Sequence, residues 1–217
     1  MGIFKDAKLI AERDPAARNT LEVMLLYPGY KALRSHRMAS FFHRHKMYFI
    51  ARYISQRSSR RTGIEIHPGA RIGEGLFIDH GHGIVIGETA VIGNNCTIYH
   101  QVTLGGTGRT KHIKRHPTVG NNVLIGAGAK ILGPVTIGDN CLIGSGSVVL
   151  HDVPANSTVT GLKARVIKTD GERVAHSIDL DHHKVIDPIA QEINQLKEEI
   201  EALRKKIDNA DVSDTKD

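Results

Sequence analysis

The sequence predicts a mainly β protein with helical ends: a coil of short parallel strands, preceded by a helical segment and followed by an amphipathic helix. Three observations predict it. Aliphatic residues recur at every sixth position through the middle of the chain, residues 2–60 before the repeats read as helices, and a heptad-spaced apolar seam begins only after the repeats end.

The first stretch, residues 1–60, reads as a helical region. In "ERDPAARNTLEVMLL", Asp14 and Pro15 fit an N-cap and first helical position, because the free donors of a helix start suit a side-chain acceptor and a residue lacking N–H. "YPG" at 27–29 interrupts the run before "YKALRSHRMASFFHRH", and a further helix is expected from about Lys46 to Gln56.

Residues 61–168 carry the rhythm. Ile66, Ile72, Ile78 and Ile84 are followed, after a two-residue slip, by Ile86, Ile92, Ile98 and Leu104, and then by Val119, Ile125, Ile131, Ile137, Ile143 and Val149. A period of six fits neither one amphipathic helix nor a hairpin meander. It fits short flat strands that each point an aliphatic residue inward and turn near the following Gly, as in "IGNNCT" and "IGDNCL", three strands to a triangular coil. Gly is expected at these turns because it tolerates positive φ. Fourteen aliphatic anchors give four to five coils. "GGTGRTKHIKRHPT" replaces a single six-residue step between Leu104 and Val119, which predicts an extruded loop at 105–118.

Residues 169–217 form a tail. Ile186, Ile189, Ile193, Leu196, Ile200, Leu203 and Ile207 alternate steps of three and four, so a heptad helix is expected at 186–207, with a polar, disordered end at 208–217. Ile at a and mostly Leu at d favours a two-stranded coil by sequence rules.

Composition narrows the partners. A net charge of +6 suits an anionic ligand, but 5% aromatic residues and no Trp leave few stacking platforms for bases, so a phosphorylated small molecule is favoured over nucleic acid. Without a signal-peptide pattern or an apolar run of about 18 residues, no membrane association and a cytoplasmic location are expected. Counting the loop as one step puts Cys96 and Cys141 two coils apart on one face, about 10 Å at roughly 4.8 Å per layer, beyond disulfide reach; free, buried thiols are expected.

Chemistry concentrates in "IDHGHGIVIGE" at 78–88, which by itself fits a metal cradle, a general base with supporting acids, or a polar turn. Among 13 histidines, His67, His80, His82 and His100 could supply the three protein ligands of a catalytic zinc. His67 before Pro68 and His100 within a repeat read instead as structural residues.

The motifs then resemble those of one family. "RDPA" at 13–16, "GIEIHPGARIG" at 63–73, "IDHGHGIVIGETAVIG" at 78–93, "VTLGGTG" at 102–108, "RHPTVG" at 115–120, "IGAGAKILG" at 125–133 and "IGSGSVVLHDVP" at 143–154 are similar to the serine O-acetyltransferases of the hexapeptide-repeat acyltransferase superfamily. The resemblance implies a left-handed parallel β-helix and acetyl transfer from acetyl-CoA to the L-serine hydroxyl, giving O-acetyl-L-serine and CoA, the first step of cysteine biosynthesis. It implies acetyl-CoA as co-substrate, no permanently bound cofactor and no metal, a homotrimer in preference to the two-stranded coil, and cysteine as feedback inhibitor at the serine pocket.

It also assigns residues. A serine hydroxyl needs a base to attack a thioester directly, and imidazole, with an ordinary pKa near 6.5, suits that task. The resemblance gives His80 this role and Glu65 that of the orienting acid, where many members carry Asp. A separation of 15 residues puts the two one face short of an 18-residue coil, near the same corner. Asp14 and Asp79 would meet the substrate ammonium, Arg115 its carboxylate, His116 would complete the pocket from the loop, and Glu88 matches a carboxylate near the site. Gly106, Thr107, Ala127 and Ser145 match positions along the CoA arm, with Arg109, Lys111, Lys114 or Arg165 available to its phosphates.

Three departures accompany the match. The helical segment is shorter than in members that pair trimers into hexamers, "DTKD" replaces the terminal Ile that some members insert into O-acetylserine sulfhydrylase, and Lys163 stands where the closing turn usually has Pro. Alternatives to the serine enzyme are a hexapeptide acetyltransferase for a sugar or other small hydroxyl acceptor, a γ-type carbonic anhydrase, and a non-catalytic scaffold. The sugar enzyme has no use for "RDPA", and zinc chemistry leaves "GGTG" and "RHP" unexplained.

Overall fold

The computed structural model describes residues 3–108, 113–162 and 164–173. Four helices come first: α1 (Ile3–Arg13), α2 (Thr20–Leu26), α3 (Pro28–Arg44) and α4 (Tyr48–Thr62). The cap of α2 is Asn19, whose side chain accepts from the Glu22 N–H at 2.9 Å, not Asp14. Asp14 follows α1, and its Oδ1 accepts from the Ala16 N–H at 2.8 Å, so the acceptor that reads as a helix cap closes a tight turn instead. Pro28 opens α3 directly, which reduces the break at "YPG" to Tyr27 alone. The last helix runs past Gln56 to Thr62, burying Ala51, Ser55 and Thr62, and stops at Gly63 in the left-handed conformation with φ of 70°.

A buried ion pair ties these helices to the coil. Asp6 accepts from Arg37 Nε at 2.9 Å and Nη2 at 2.8 Å, and its other oxygen accepts from the Gly75 N–H at 3.3 Å. Arg37 also donates to the Gly73 carbonyl at 3.2 Å, so α1, α3 and the first coil share one network. Removing one partner would strand the other charge, at a cost on the order of 3 kcal/mol.

The repeats build a three-faced parallel coil. The first face stacks Ile64–Ile66, Ile84–Ile86, Thr103–Gly105, Lys130–Leu132 and Val148–Val149. The second stacks Arg71–Ile72, Val91–Ile92, Thr118–Val119 and Thr136–Ile137. The third stacks Phe77–Ile78, Thr97–Ile98, Leu124–Ile125, Leu142–Ile143 and Ser157–Thr160, then turns antiparallel through Arg165–Thr169 and Glu172–Arg173. The anchors form inward columns such as Ile78, Ile98, Ile125, Ile143 and Val159, all buried.

Register shows where the rhythm breaks. Ile66 pairs with Ile86 and Ile78 with Ile98, so the first coil has 20 residues rather than 18. The extra two lie between Ile78 and His82, because beyond them the ladder resumes with Gln101 N–H donating to the His82 carbonyl at 2.8 Å. The extruded loop leaves the turn between first and second faces, as expected.

The repeat glycines divide into two sets: Gly75, Gly83, Gly128 and Gly146 take positive φ at the turns, as expected, and a second set does not. Those following an aliphatic anchor, such as Gly93 and Gly138, are absent from the positive-φ positions. Their need is close approach: a Cβ on Gly93 would fall 2.5 Å from the Gly120 carbonyl oxygen of the next coil. Positive φ at the turns between second and third faces falls on Gly75 in the first coil and then on Asn95, Asn122, Asn140 and Asn156, which tolerate it with a short polar side chain. Their amides also stack, Asn122 donating to Asn140 at 3.0 Å and Asn140 to Asn156 at 2.9 Å.

Cys96 and Cys141 are free and buried, and burial raises both thiol pKa values. They point the same way two coils apart, with Sγ against the carbonyls of Gly120 and Pro154. Among the described residues no helix is long and apolar enough to cross a membrane. The expected heptad helix at 186–207, the polar end, Arg109, Lys111 and Lys163 lie outside the described residues.

Candidate active site

The turns from third to first face form one edge of the prism. Backbone bonds from Gly128 N–H to His100 and from Gly146 N–H to Ala127 stack His100, Ala127 and Ser145 in a column beneath His82. The two inserted residues bulge beside this column and carry His80, at φ of 59°, with its side chain 76% exposed. A positive φ on a non-glycine residue is strained, and here it throws an imidazole outward. The His80 ring stands 6.0 Å from that of His100, edge to face, and its Nε2 lies 3.8 Å from Asp79 Oδ1.

The helical segment reaches the same edge. Gly29, near the start of α3, packs against Ile78 so closely that a Cβ would lie 2.5 Å from the Ile78 carbonyl oxygen. Tyr27 therefore stands near Asp79, and its hydroxyl donates to Asp14 Oδ2 at 2.6 Å. That hydrogen bond, with burial and the charges of Asp14, Glu22 and Asp79, pushes the phenol up to about 12. Arg13 holds the segment down by donating to the Gly75 carbonyl at 2.8 Å and to Thr97 Oγ1. Asp14, Asp79, His80, Ala127 and Ser145 thus gather at one edge.

The turns from first to second face form another edge, and the loop emerges there. His116 is buried, its ring over Gly87 and Gly106; a Cβ on Gly87 would penetrate the imidazole. Thr89 organises this edge. Its Oγ1 accepts from the backbone N–H groups of Arg115 and His116, each at 3.1 Å, and its own N–H donates to His116 Nδ1 at 3.2 Å. An Nδ1 that accepts from an amide carries no proton, so the proton sits on Nε2. Burial, then the Arg115 charge, lowers the His116 pKa and keeps the ring neutral. Lys114 donates to the carbonyls of Thr89 at 2.6 Å and Pro117 at 3.1 Å, and Thr107 N–H bonds Arg115 across the loop base at 3.2 Å. Arg115 faces Glu88 at 3.9 Å. Gly106, Thr107, Glu88, Arg115 and His116 therefore share this second edge.

The two edges are separated by the first face, a side of six residues or about 20 Å. Glu65 stands on that face opposite Val85, with Oε1 3.6 Å from Arg52 Nη2, and makes no hydrogen bond or ion pair with His80. The coil between them has 20 residues rather than the 18 assumed for their expected pairing, and Glu65 faces Arg52 instead of the ring in this structure. Lys114, considered for CoA phosphates, is spent on the loop base. His67 is half-buried and its Nδ1 accepts from the Gly69 N–H at 3.1 Å, a structural role as expected. Among the described residues no group of three or more His, Cys, Asp or Glu could hold a metal ion.

The family model described as bacterial transferase hexapeptide (six repeats) matches residues 116–151. A serine acetyltransferase of Synechococcus elongatus is 51% identical over 203 residues, covering 94% of this chain and 82% of its own length. One from Staphylococcus xylosus is 50% identical, covering 93% and 92%. The chain belongs to the serine acetyltransferase family. Two solved serine acetyltransferases share the fold at 44% identity: that of Neisseria gonorrhoeae in complex with serine, with a TM-score of 0.72 over 75% of this chain and 66% of that one, and that of Brucella abortus in complex with coenzyme A, at 0.74 over 77% and 66%. The parallel coil of this acetyltransferase matches a left-handed β-helix of hexapeptide repeats. Tyr27 and Thr89 of this acetyltransferase carried no sequence signal beyond lying in or beside the matched motifs. Each acts through a hydroxyl contact over more than ten residues of sequence, invisible to spacing.

Proposed function

We propose that the chain transfers the acetyl group of acetyl-CoA to the hydroxyl of L-serine, giving O-acetyl-L-serine and CoA in cysteine biosynthesis. The observation that carries this reading is 51% identity to a serine acetyltransferase along nearly the whole chain. The serine and coenzyme A held by the two solved relatives support the same substrates.

In this reading His80 Nε2 takes the proton from the serine hydroxyl as its oxygen attacks the thioester carbonyl; the tetrahedral adduct expels the CoA thiolate, which is reprotonated from the imidazolium. Asp14 and Asp79 hold the ammonium. Arg115 and the Nε2–H of His116 hold the carboxylate. Ala127 and Ser145 line the pantetheine path beside His80, while Gly106 and Thr107 border it from the loop. Glu65 orients the imidazolium after exchanging its Arg52 contact for the ring.

Base and carboxylate clamp lie on edges about 20 Å apart in one chain, too far to grip one serine. The site is therefore completed between copies, the His80 edge of one meeting the loop edge of the next, as in a homotrimer closed by heterologous contacts. Coupled thiol release with L-serine, a sugar panel and no acceptor tests the substrate. Mixing inactive His80→Ala and Arg115→Ala chains tests the shared site: random pairing restores about a quarter of the sites, whereas sites within single chains would restore none.

A further inference from the structure

A cleft between α3, α4 and the Pro68–Ile72 stretch opens at the first-to-second-face edge of the chain, where Gly69 packs against Glu88, with a volume of about 1230 Å³. Lys31, Arg34, Arg44, Arg61 and Arg71 line it, and no Asp or Glu does. Among the described residues these five side chains make no ion pair or hydrogen bond. The neighbouring carboxylates are engaged elsewhere, Asp6 with Arg37 and Glu88 facing Arg115. Cations converging on one concavity without counter-charge raise the local concentration of anions.

The wall supplies an independent sign. His36 is 5% exposed and its Nδ1 has no partner, nor has the buried hydroxyl of Ser58. Buried polar atoms left unpaired are uncommon and costly; a ligand oxygen can accept from the Ser58 hydroxyl, and a protonated ligand oxygen can donate to His36 Nδ1, whose ring gives its own proton to the Ala70 carbonyl. Burial lowers the His36 pKa to about 4, so the ring is a neutral hydrogen-bonding group. Charge thus comes from the five cations and directional bonding from the wall, the division that suits a compact ion with several oxygens.

We propose that this cleft binds a tetrahedral oxyanion, a phosphate or sulfate group that is free or borne on a small metabolite. The test is titration calorimetry with inorganic phosphate, sulfate, glycerol phosphate and, at matched ionic strength, chloride. Saturating CoA is present throughout to occupy groups that bind its own phosphates. Saturable heat absent with chloride is expected, weakened at least about tenfold in Arg34→Ala/Arg61→Ala and kept in His80→Ala. Tighter binding of glycerol phosphate would point to a phosphorylated metabolite, and binding of only the inorganic ions to a free anion; either supports the site. Arg34 and Arg61 are exposed, so the fold should survive their loss, with circular dichroism as the check. Ser58→Ala, a smaller change, should weaken binding without altering melting in chloride. Heats equal to those with chloride, or binding indifferent to both variants, would overturn the proposal.

Discussion

His80 and His116 stand on different edges of the prism, which treat them in opposite ways. His80 stands on a two-residue bulge at positive φ, mostly in solvent, beside Asp79 and the His100 ring. His116 is 6% exposed, its tautomer fixed by the Thr89 amide and its ring clasped over two glycines. One edge is an exposed surface whose imidazole stands mostly in solvent. The other is a finished clamp whose imidazole is held as a donor. The shared site proposed above would use both, because a base must change protonation state during a reaction while a binding group must not.

The sharpest way to break the comparison is to remove the free histidine. His80→Ala should lower turnover by about 10² to 10⁴ with assembly unchanged by light scattering. Near-normal turnover would dismiss His80 as the base. Next, Gly87→Ala forces a methyl into the clamp and should cost about tenfold to a hundredfold in kcat/KM for serine, the scale of misplacing a positioning group by about 1 Å. The matching substitution on the exposed edge, His82→Ala, should change kcat/KM less than about threefold, since His82 sits exposed in the column behind the bulge. Arg115→Lys keeps the charge but loses the fork, so the serine KM should rise about tenfold with kcat little altered.

Much of this was legible in the sequence. Period six with its fourteen anchors gave faces, loop position and the stacking of Ala127 on Ser145, because an inward aliphatic residue is required wherever a coil closes on its core. The slip near Ile84 was visible too, but not its consequence: which residues bulge is decided by where the backbone ladder resumes. Helix boundaries shifted because Asp14 and Asn19 are both good caps, and only tertiary contact with Tyr27 and the coil selects between them. The separation of the edges escaped reading because motifs adjacent in sequence, "DHGHG" and "GET", straddle a face.

The smallest expected effect concerns acid. The folded His116 pKa lies below the ordinary 6.5, chiefly through burial, so below that value the unfolded or detached loop takes up a proton more readily than the clamped one. The clamp's stability from this group is complete above about pH 6.5 and is lost as pH falls toward the folded pKa, by at most about 1.4 kcal/mol per unit. A protonated Nδ1 cannot accept from Thr89, so the loop base should loosen. Amide exchange at Arg115 and His116, corrected for the intrinsic rate, should quicken from pH 7.5 to 5.5 in the natural chain. Thr89→Val removes the hydroxyl that anchors both amides, so exchange there should already be fast at pH 7.5 and nearly flat with pH, while Thr89→Ser restores the natural profile. Equal profiles in the natural chain and Thr89→Val would mean that the loop is held by Lys114 and the Thr107 pairing alone, and that the difference between the edges lies in exposure rather than in a locked imidazole.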